Sequence, residues 1–153
     1  MKFSERLKAA LDSDCAHSIA SILQLKDSSD LNVLKKIIAS HQEFDANRVV
    51  RAIYLLGEWG EKSIAKDISK LIPHVGEIGR VTILDVLTKI GDESVFDEIK
   101  ECLKDKSPQV RKFAIYALGA LNSHESVHYL QEVGKKDSLD FIRGLANEYL
   151  KNR

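Results

Sequence analysis

Residues that build disulfide frameworks, metal centres or interrupted folds are scarce in this sequence. Its 153 residues include two cysteines, two prolines, one tryptophan and one methionine. Cys15 and Cys102 are far apart and neither belongs to a CxxC pair, which fits two reduced, partly buried thiols rather than a disulfide framework or zinc site. Net charge is missing too. Twenty-three basic residues cancel twenty-three acidic ones, so the overall basicity of a general nucleic-acid binder is absent and only a local patch stays open. No apolar run approaches the length of a membrane span. The opening MKFSERLKAALDSD carries Lys2, Glu5, Arg6 and Lys8 where a signal peptide needs its hydrophobic core, so a cytoplasmic protein without membrane contact is expected.

Catalytic constellations are equally thin. The chain has no glycine-rich phosphate loop, nucleophile elbow or Cys/His dyad. His17, His41 and His74 fall in or near expected turns. His124 and His128 share a spacing of four, but His124 is expected to precede its helix and no further ligand stands by. The expectation is a protein that is not an enzyme and holds no cofactor or metal. Runs of alternating β-branched residues are also lacking, which leaves no credible strand.

What is present is repetition. Ala114, Ile115, Tyr116, Leu118 and Gly119 match Ala52, Ile53, Tyr54, Leu56 and Gly57 at an offset of 62, and Arg80 and Gly91 stand half that offset before Arg111 and Asn122. A unit of about 31 residues is too short to bury its own apolar face, so units must stack into a solenoid with one continuous core. Trp59 aligns with Ile90 and Leu121, which makes it a packing residue rather than a base-stacking platform.

Apolar spacing and cap chemistry divide the chain into an N-terminal capping helix (1–14), helical hairpins over 15–42, 45–74, 76–105 and 107–137, and a C-terminal half repeat (138–153). Within these, helices are expected over 3–12, 15–25, 31–40, 46–57, 62–72, 77–90, 94–103, 108–121, 125–135 and 138–150. The stretch KDSSD at 26–30 reads as a turn. Ser13 and Asp14 offer caps for the second helix, and Ser107 with Pro108 marks the clearest helix start, since proline at the first helical position sacrifices no hydrogen bond.

Asp105 with Val110, Arg111, Ala114, Ala117, Leu118 and Gly119, Asp45 with Val50 and Arg51, and Asp137 with Ile142 and Arg143 resemble the HEAT-like repeats, especially the short kind of phycobilisome lyases. The resemblance covers roughly residues 15–153. It implies an all-α fold, a right-handed α-α solenoid of about four to five HEAT-like helical hairpins. It further implies that Asp45, Arg51, Arg80, Asp105, Arg111, Asp137 and Arg143 form a structural ladder tying repeat to repeat. His74 stands where the acid before Arg80 would be, so that rung is expected to be weaker or pH-sensitive. The two alignments also disagree: the tyrosine motif pairs Val49 with Arg111, whereas the acid–base pair puts Arg51 there.

The same resemblance implies that the second helix of each hairpin lines a concave groove. On that side of the 62–72 helix lie Lys62, Lys66, Ser69 and Lys70, and on the next Asp97, Lys100, Glu101 and Lys104. At the repeat offset they form two rows, Lys35, Lys66, Asp97, His128 and Ala39, Lys70, Glu101, Glu132. Two readings fit. Lys66 with Asp97 and Lys70 with Glu101 are exposed salt bridges between repeats, each contributing about 0–1 kcal/mol. Alternatively the rows are a polarised docking strip. The second makes Lys35, Lys66, Lys70, Asp97, Glu101, His128 and Glu132 the contact residues of a non-catalytic scaffold or adaptor for a protein or peptide partner. Kinship with bilin lyases suggests, as the alternative, a cofactor-attachment or chaperone factor. Asp97, Glu101 and Glu132 argue against nucleic-acid binding. The half repeat at the C-terminal end leaves weak self-association open.

Overall fold

The structure, a computed structural model, describes residues 4–12, 24 and 26–152. The helix expected over 15–25 falls largely outside these residues, as do Cys15, His17, Ser13 and Asp14. Every regular element among the described residues is helical: α1 (Glu5–Asp12), α2 (Ser28–Ala39), α3 (Ala46–Glu58), α4 (Ala65–Ser69), α5 (Glu77–Ile90), α6 (Phe96–Glu101), α7 (Pro108–Leu121), α8 (His124–Lys136) and α9 (Asp140–Lys151). Helices α1, α3, α5, α7 and α9 pack on one another in chain order as one layer, while α2, α4, α6 and α8 pack against them as the second. The chain is an all-α solenoid. Its core is continuous, because the buried faces of each hairpin, such as Ile53 and Leu56, Ile83 and Leu87, Ile115 and Leu118, meet those of the next.

The repeat is written into the helix ends. Asp45 and Ser107 cap α3 and α7 by accepting the amides of Arg48 and Val110, and Pro108 opens α7 as expected. At the other end Gly60, Gly91 and Asn122 take left-handed backbone with φ of 68°, 65° and 52°, each one repeat of 31 residues beyond the last. Asparagine is among the few side chains that visit this region routinely, so Asn122 substitutes for the glycine of its neighbours. Trp59 is buried, as its alignment with Ile90 and Leu121 requires.

Several expectations are corrected. KDSSD is not a turn throughout: Asp27 is extended, its carboxylate accepts the Ser29 amide, and α2 starts at Ser28. The helices expected over 62–72 and 94–103 are each broken into a 3-10 turn, a short α-helix and a second 3-10 turn, Lys62–Ile64 to Ile72–His74 and Glu93–Val95 to Cys102–Lys104. Pro73 lies within the 3-10 turn that ends the first of these segments, where a longer α-helix would lack an amide donor. Ser69 faces the core rather than the outer side and returns its hydroxyl to the Lys66 carbonyl at 3.2 Å. His124 belongs to α8 itself, because Ser123 is the cap.

The arginines link turns in a regular way. Arg111 forks onto Asp137 through Nε (2.8 Å) and Nη2 (3.2 Å) and donates through Nη1 to the Asp105 carbonyl at 2.9 Å. Arg143 donates to the Asp137 carbonyl at 2.6 Å and pairs with Asp140. Arg80 reaches Asp105 with Nη2 at 3.3 Å and the Val75 carbonyl at 3.0 Å, while its Nε lies 2.8 Å from Asp105 Oδ2 without hydrogen-bonding alignment. Each of Arg80 and Arg111 thus pairs with the acid of the following turn and takes only a carbonyl from its own. His74 therefore does not displace the carboxylate partner of Arg80. Asp45 differs in register from Asp105 and Asp137, since it is the cap residue rather than two positions before it. Val49, buried, occupies the position of Arg80 and Arg111, and Arg51 donates to the Leu11 carbonyl at 2.6 Å, tying α3 to α1.

A further tie was not visible in the repeat pattern. Asp30 is buried, accepting the Ser4 hydroxyl at 2.8 Å and Arg6 Nε at 3.3 Å, which fastens α1 to α2.

Candidate functional site

The outer side of the second layer carries the charged residues that the repeat offset aligned. Along the 62–74 segment Ile64, Ile68 and Leu71 turn inward, which leaves Lys62, Lys66 and Lys70 exposed. Neither Lys62 nor Lys70 makes a side-chain hydrogen bond or ion pair among the described residues. Lys66 lies near Asp92. The Asp92 carboxyl is held below its ordinary value, mainly by the Ser94 hydroxyl and amide and to a smaller extent by the Lys66 charge. Lys35 reaches forward across the repeat boundary, with Nζ 3.2 Å from Glu61 Oε1 and 3.0 Å from Ser63 Oγ. The Ser63 hydroxyl and this ammonium hold the Glu61 carboxyl below the usual glutamate value.

The acids of the next units are engaged within their own helices. Asp97 takes Lys100, Glu101 takes Lys104 and Glu132 takes Lys136. The cross-repeat pairs of Lys66 with Asp97 and Lys70 with Glu101 are not among these contacts. Exposed pairs one helical turn apart contribute only a few tenths of a kcal/mol each, so such carboxylates exchange partners at small cost.

Between α6 and α8 the surface is concave. A groove of about 610 Å³ is lined by Glu93, Phe96, Asp97, Lys100, His124, Glu125, His128 and Tyr129, so Asp97 and His128 meet in one site. A neighbouring hollow of about 460 Å³ shares Lys100 and Tyr129 with it and includes Glu132, Leu103 and Val133. Glu101 lines a separate depression with Pro73, Arg80 and Lys106, at the boundary towards α4. The aromatic walls Phe96 and Tyr129 were missed by the sequence reading. They are 33 positions apart, off the repeat offset, and apolar residues at helical spacing read as core.

The site offers no activated nucleophile. Cys102 is buried, its thiol donates to the Glu98 carbonyl at 3.3 Å, and burial pushes it up to about 11. Among the described residues no group of three His, Cys, Asp or Glu side chains is placed to hold a metal ion, and no helix is long and apolar enough to cross a membrane.

Residues 76–151, which span α5 to α9, match a family model described as HEAT repeats. No curated protein matches the chain. The phycobilisome-lyase kind of repeat is not distinguished by that match.

Proposed function

We propose that this chain, a HEAT-like repeat protein through its matched half, is a non-catalytic protein-binding module that uses the outer side of its second helix layer. HEAT repeats commonly serve as protein-interaction scaffolds. One observation carries the reading to this side: the second layer exposes Lys62 and Lys70, which flank α4 and have no bonded side-chain partner among the described residues, and loosely held carboxylates beside a groove at α6 and α8. The first favours an acidic stretch of partner and the second a basic one, so complementarity sets direction as well as affinity. Lys35, Lys66 and Lys70 form the basic end, and Asp97, Glu101, His128 and Glu132 the other. Stacked repeats present this face as an extended surface on which many shallow contacts add.

The test is charge reversal at Lys66→Glu with Lys70→Glu. Both side chains are exposed and Lys70 has no side-chain partner among the described residues, so the double variant keeps its circular dichroism spectrum and melting curve. Capture of a native protein partner from lysate, identified by mass spectrometry, is expected to fall by about tenfold, given coupling energies above 1 kcal/mol for complementary interface charges. Undiminished capture by the double variant would remove the lysine end of the face from the proposal.

A further inference from the structure

We infer that the groove between α6 and α8 receives an arginine side chain from a basic segment of the partner protein. The inference deepens the protein-binding reading and rests on it. Its walls are aromatic: the Phe96 and Tyr129 rings stand 5.9 Å apart, inclined at 57°. They already hold a cation. Lys100 Nζ lies 5.6 Å from the Phe96 centroid and 5.4 Å from that of Tyr129, and the same ammonium bonds Asp97. Aromatic faces attract cations through the ring quadrupole, and the attraction grows as the site is shielded from water.

The rim supplies the charge. Three carboxylates, Glu93, Asp97 and Glu125, line the groove with one lysine, Lys100, and the imidazoles of His124 and His128. Asp97 pairs with Lys100, and neither Glu93 nor Glu125 makes a side-chain hydrogen bond or ion pair among the described residues. Two carboxylates therefore stand without a bonded cation among the described residues beside an aromatic wall, an arrangement that disfavours a phosphate backbone and suits a cation. Asp97 is 82% exposed at its side chain and turns to a new partner freely, whereas Lys100 is only 22% exposed. Lys100 thus acts as a tethered occupant of the wall. Guanidinium is the better guest than ammonium, because its plane stacks on the rings while its edge forks onto a carboxylate. The volume of about 610 Å³ accommodates that side chain with its flanking backbone.

The probe is N-acetyl-arginine amide, titrated into the full chain with amide-resolved NMR, against N-acetyl-citrulline amide as the neutral isostere. Saturable shifts are expected at Phe96, Asp97, Lys100 and Tyr129 with the arginine probe alone. Asp97→Asn should weaken binding, and Lys100→Met, which keeps the methylene packing, should tighten it, each by about threefold to tenfold, the scale of one cation–aromatic or ion-pair contact. Lys104→Met removes the same charge one turn away and should stay within about twofold. Equal response to citrulline, shifts mapping elsewhere, or a loss of affinity on Lys100→Met overturns the proposal. If the arginine probe fails while the Lys66 and Lys70 reversals still suppress partner capture, this inference falls and the wider face stands. If the probe binds and the reversals leave capture intact, the groove stands and the lysine end falls.

Discussion

Removing Arg111 should cost far more than its place on a helix surface suggests. Its side chain is 11% exposed and that of Asp137 is 7% exposed, so the fork between them is nearly dry. Truncation by Arg111→Ala leaves the Asp137 carboxylate buried with the Leu139 amide at 2.9 Å, and strands the Asp105 carbonyl that Arg111 Nη1 served. Breaking a buried pair by deleting one member costs about 3–5 kcal/mol, against about 0–1 kcal/mol for an exposed pair. In a chain of this size each kcal/mol moves the melting temperature by about 2–4 °C, so a fall of roughly 10 °C is expected. Urea denaturation at neutral pH measures the loss directly. Arg80→Ala, whose pair with Asp105 is 16% and 14% exposed and less well aligned, should lose less. Replacing both members, Arg111→Met with Asp137→Leu, removes the stranded charge and should recover part of the single-variant loss. A loss below about 1 kcal/mol for Arg111→Ala would show that the pair behaves as a surface contact, and the account of how turns are linked would be wrong.

Two further perturbations follow from the same packing. Gly119 faces the Tyr149 ring so closely that a Cβ would fall within it, so Gly119→Ala should destabilise by about 1–3 kcal/mol from overpacking despite about 1 kcal/mol of improved helix propensity. With Tyr149→Ala already in place the same substitution should become neutral or stabilising, which paired thermal melts would show. On acidification, the carboxyls of Asp27, Asp92, Glu61 and Glu132 are all held below their ordinary values of 3.8 or 4.5, chiefly by the side chains of Ser29, Ser94, Ser63 and Lys136 respectively. Groups with lowered folded values contribute stability that is complete above the ordinary value and disappears as pH falls through the folded one. The urea midpoint should therefore be level from pH 7 to about 5 and drop below about 4; a midpoint that holds or rises at pH 3 contradicts the assignment.

Much of the first layer was legible because its boundaries are set by local chemistry. The expected spans 77–90 and 108–121 coincide with α5 and α7, where Gly76, Ser107 and Pro108 open the helices and Gly91 and Asn122 close them. The second layer was less so. Its segments alternate 3-10 and α geometry, which shifts the outward face by a fraction of a turn, and Ser69 accordingly lands in the core. The contest between Val49 and Arg51 for the Arg111 position set the tyrosine motif against the acid–base spacing, and the sequence alone left both open. Cap residues decide it: Asp45, Gly76 and Ser107 stand 31 apart, which assigns the position to Val49. The groove was illegible for a different reason, since Phe96 and Tyr129 approach only after two turns of unlike length bring α6 beside α8.

Period marks the structurally constrained positions of this chain. Positions that recur at 31 residues, such as the left-handed Gly60, Gly91 and Asn122 or the paired Arg80 and Arg111, answer to a constraint that every repeat shares, namely packing on its neighbour. Lys66, Asp97 and His128 share a register position but not a charge, so no inter-repeat contact imposes their identity. The departure is greatest beside the groove, where the off-register Phe96 and Tyr129 stand with Lys100 between them. A solenoid tolerates such variation on its outer side because each unit draws its stability from the shared core and the turn-to-turn ion pairs. Those pairs keep α6 and α8 in register, so the loss of Arg111 would also loosen the groove it underlies: Arg111 lines the hollow adjoining it, alongside Lys100 and Tyr129.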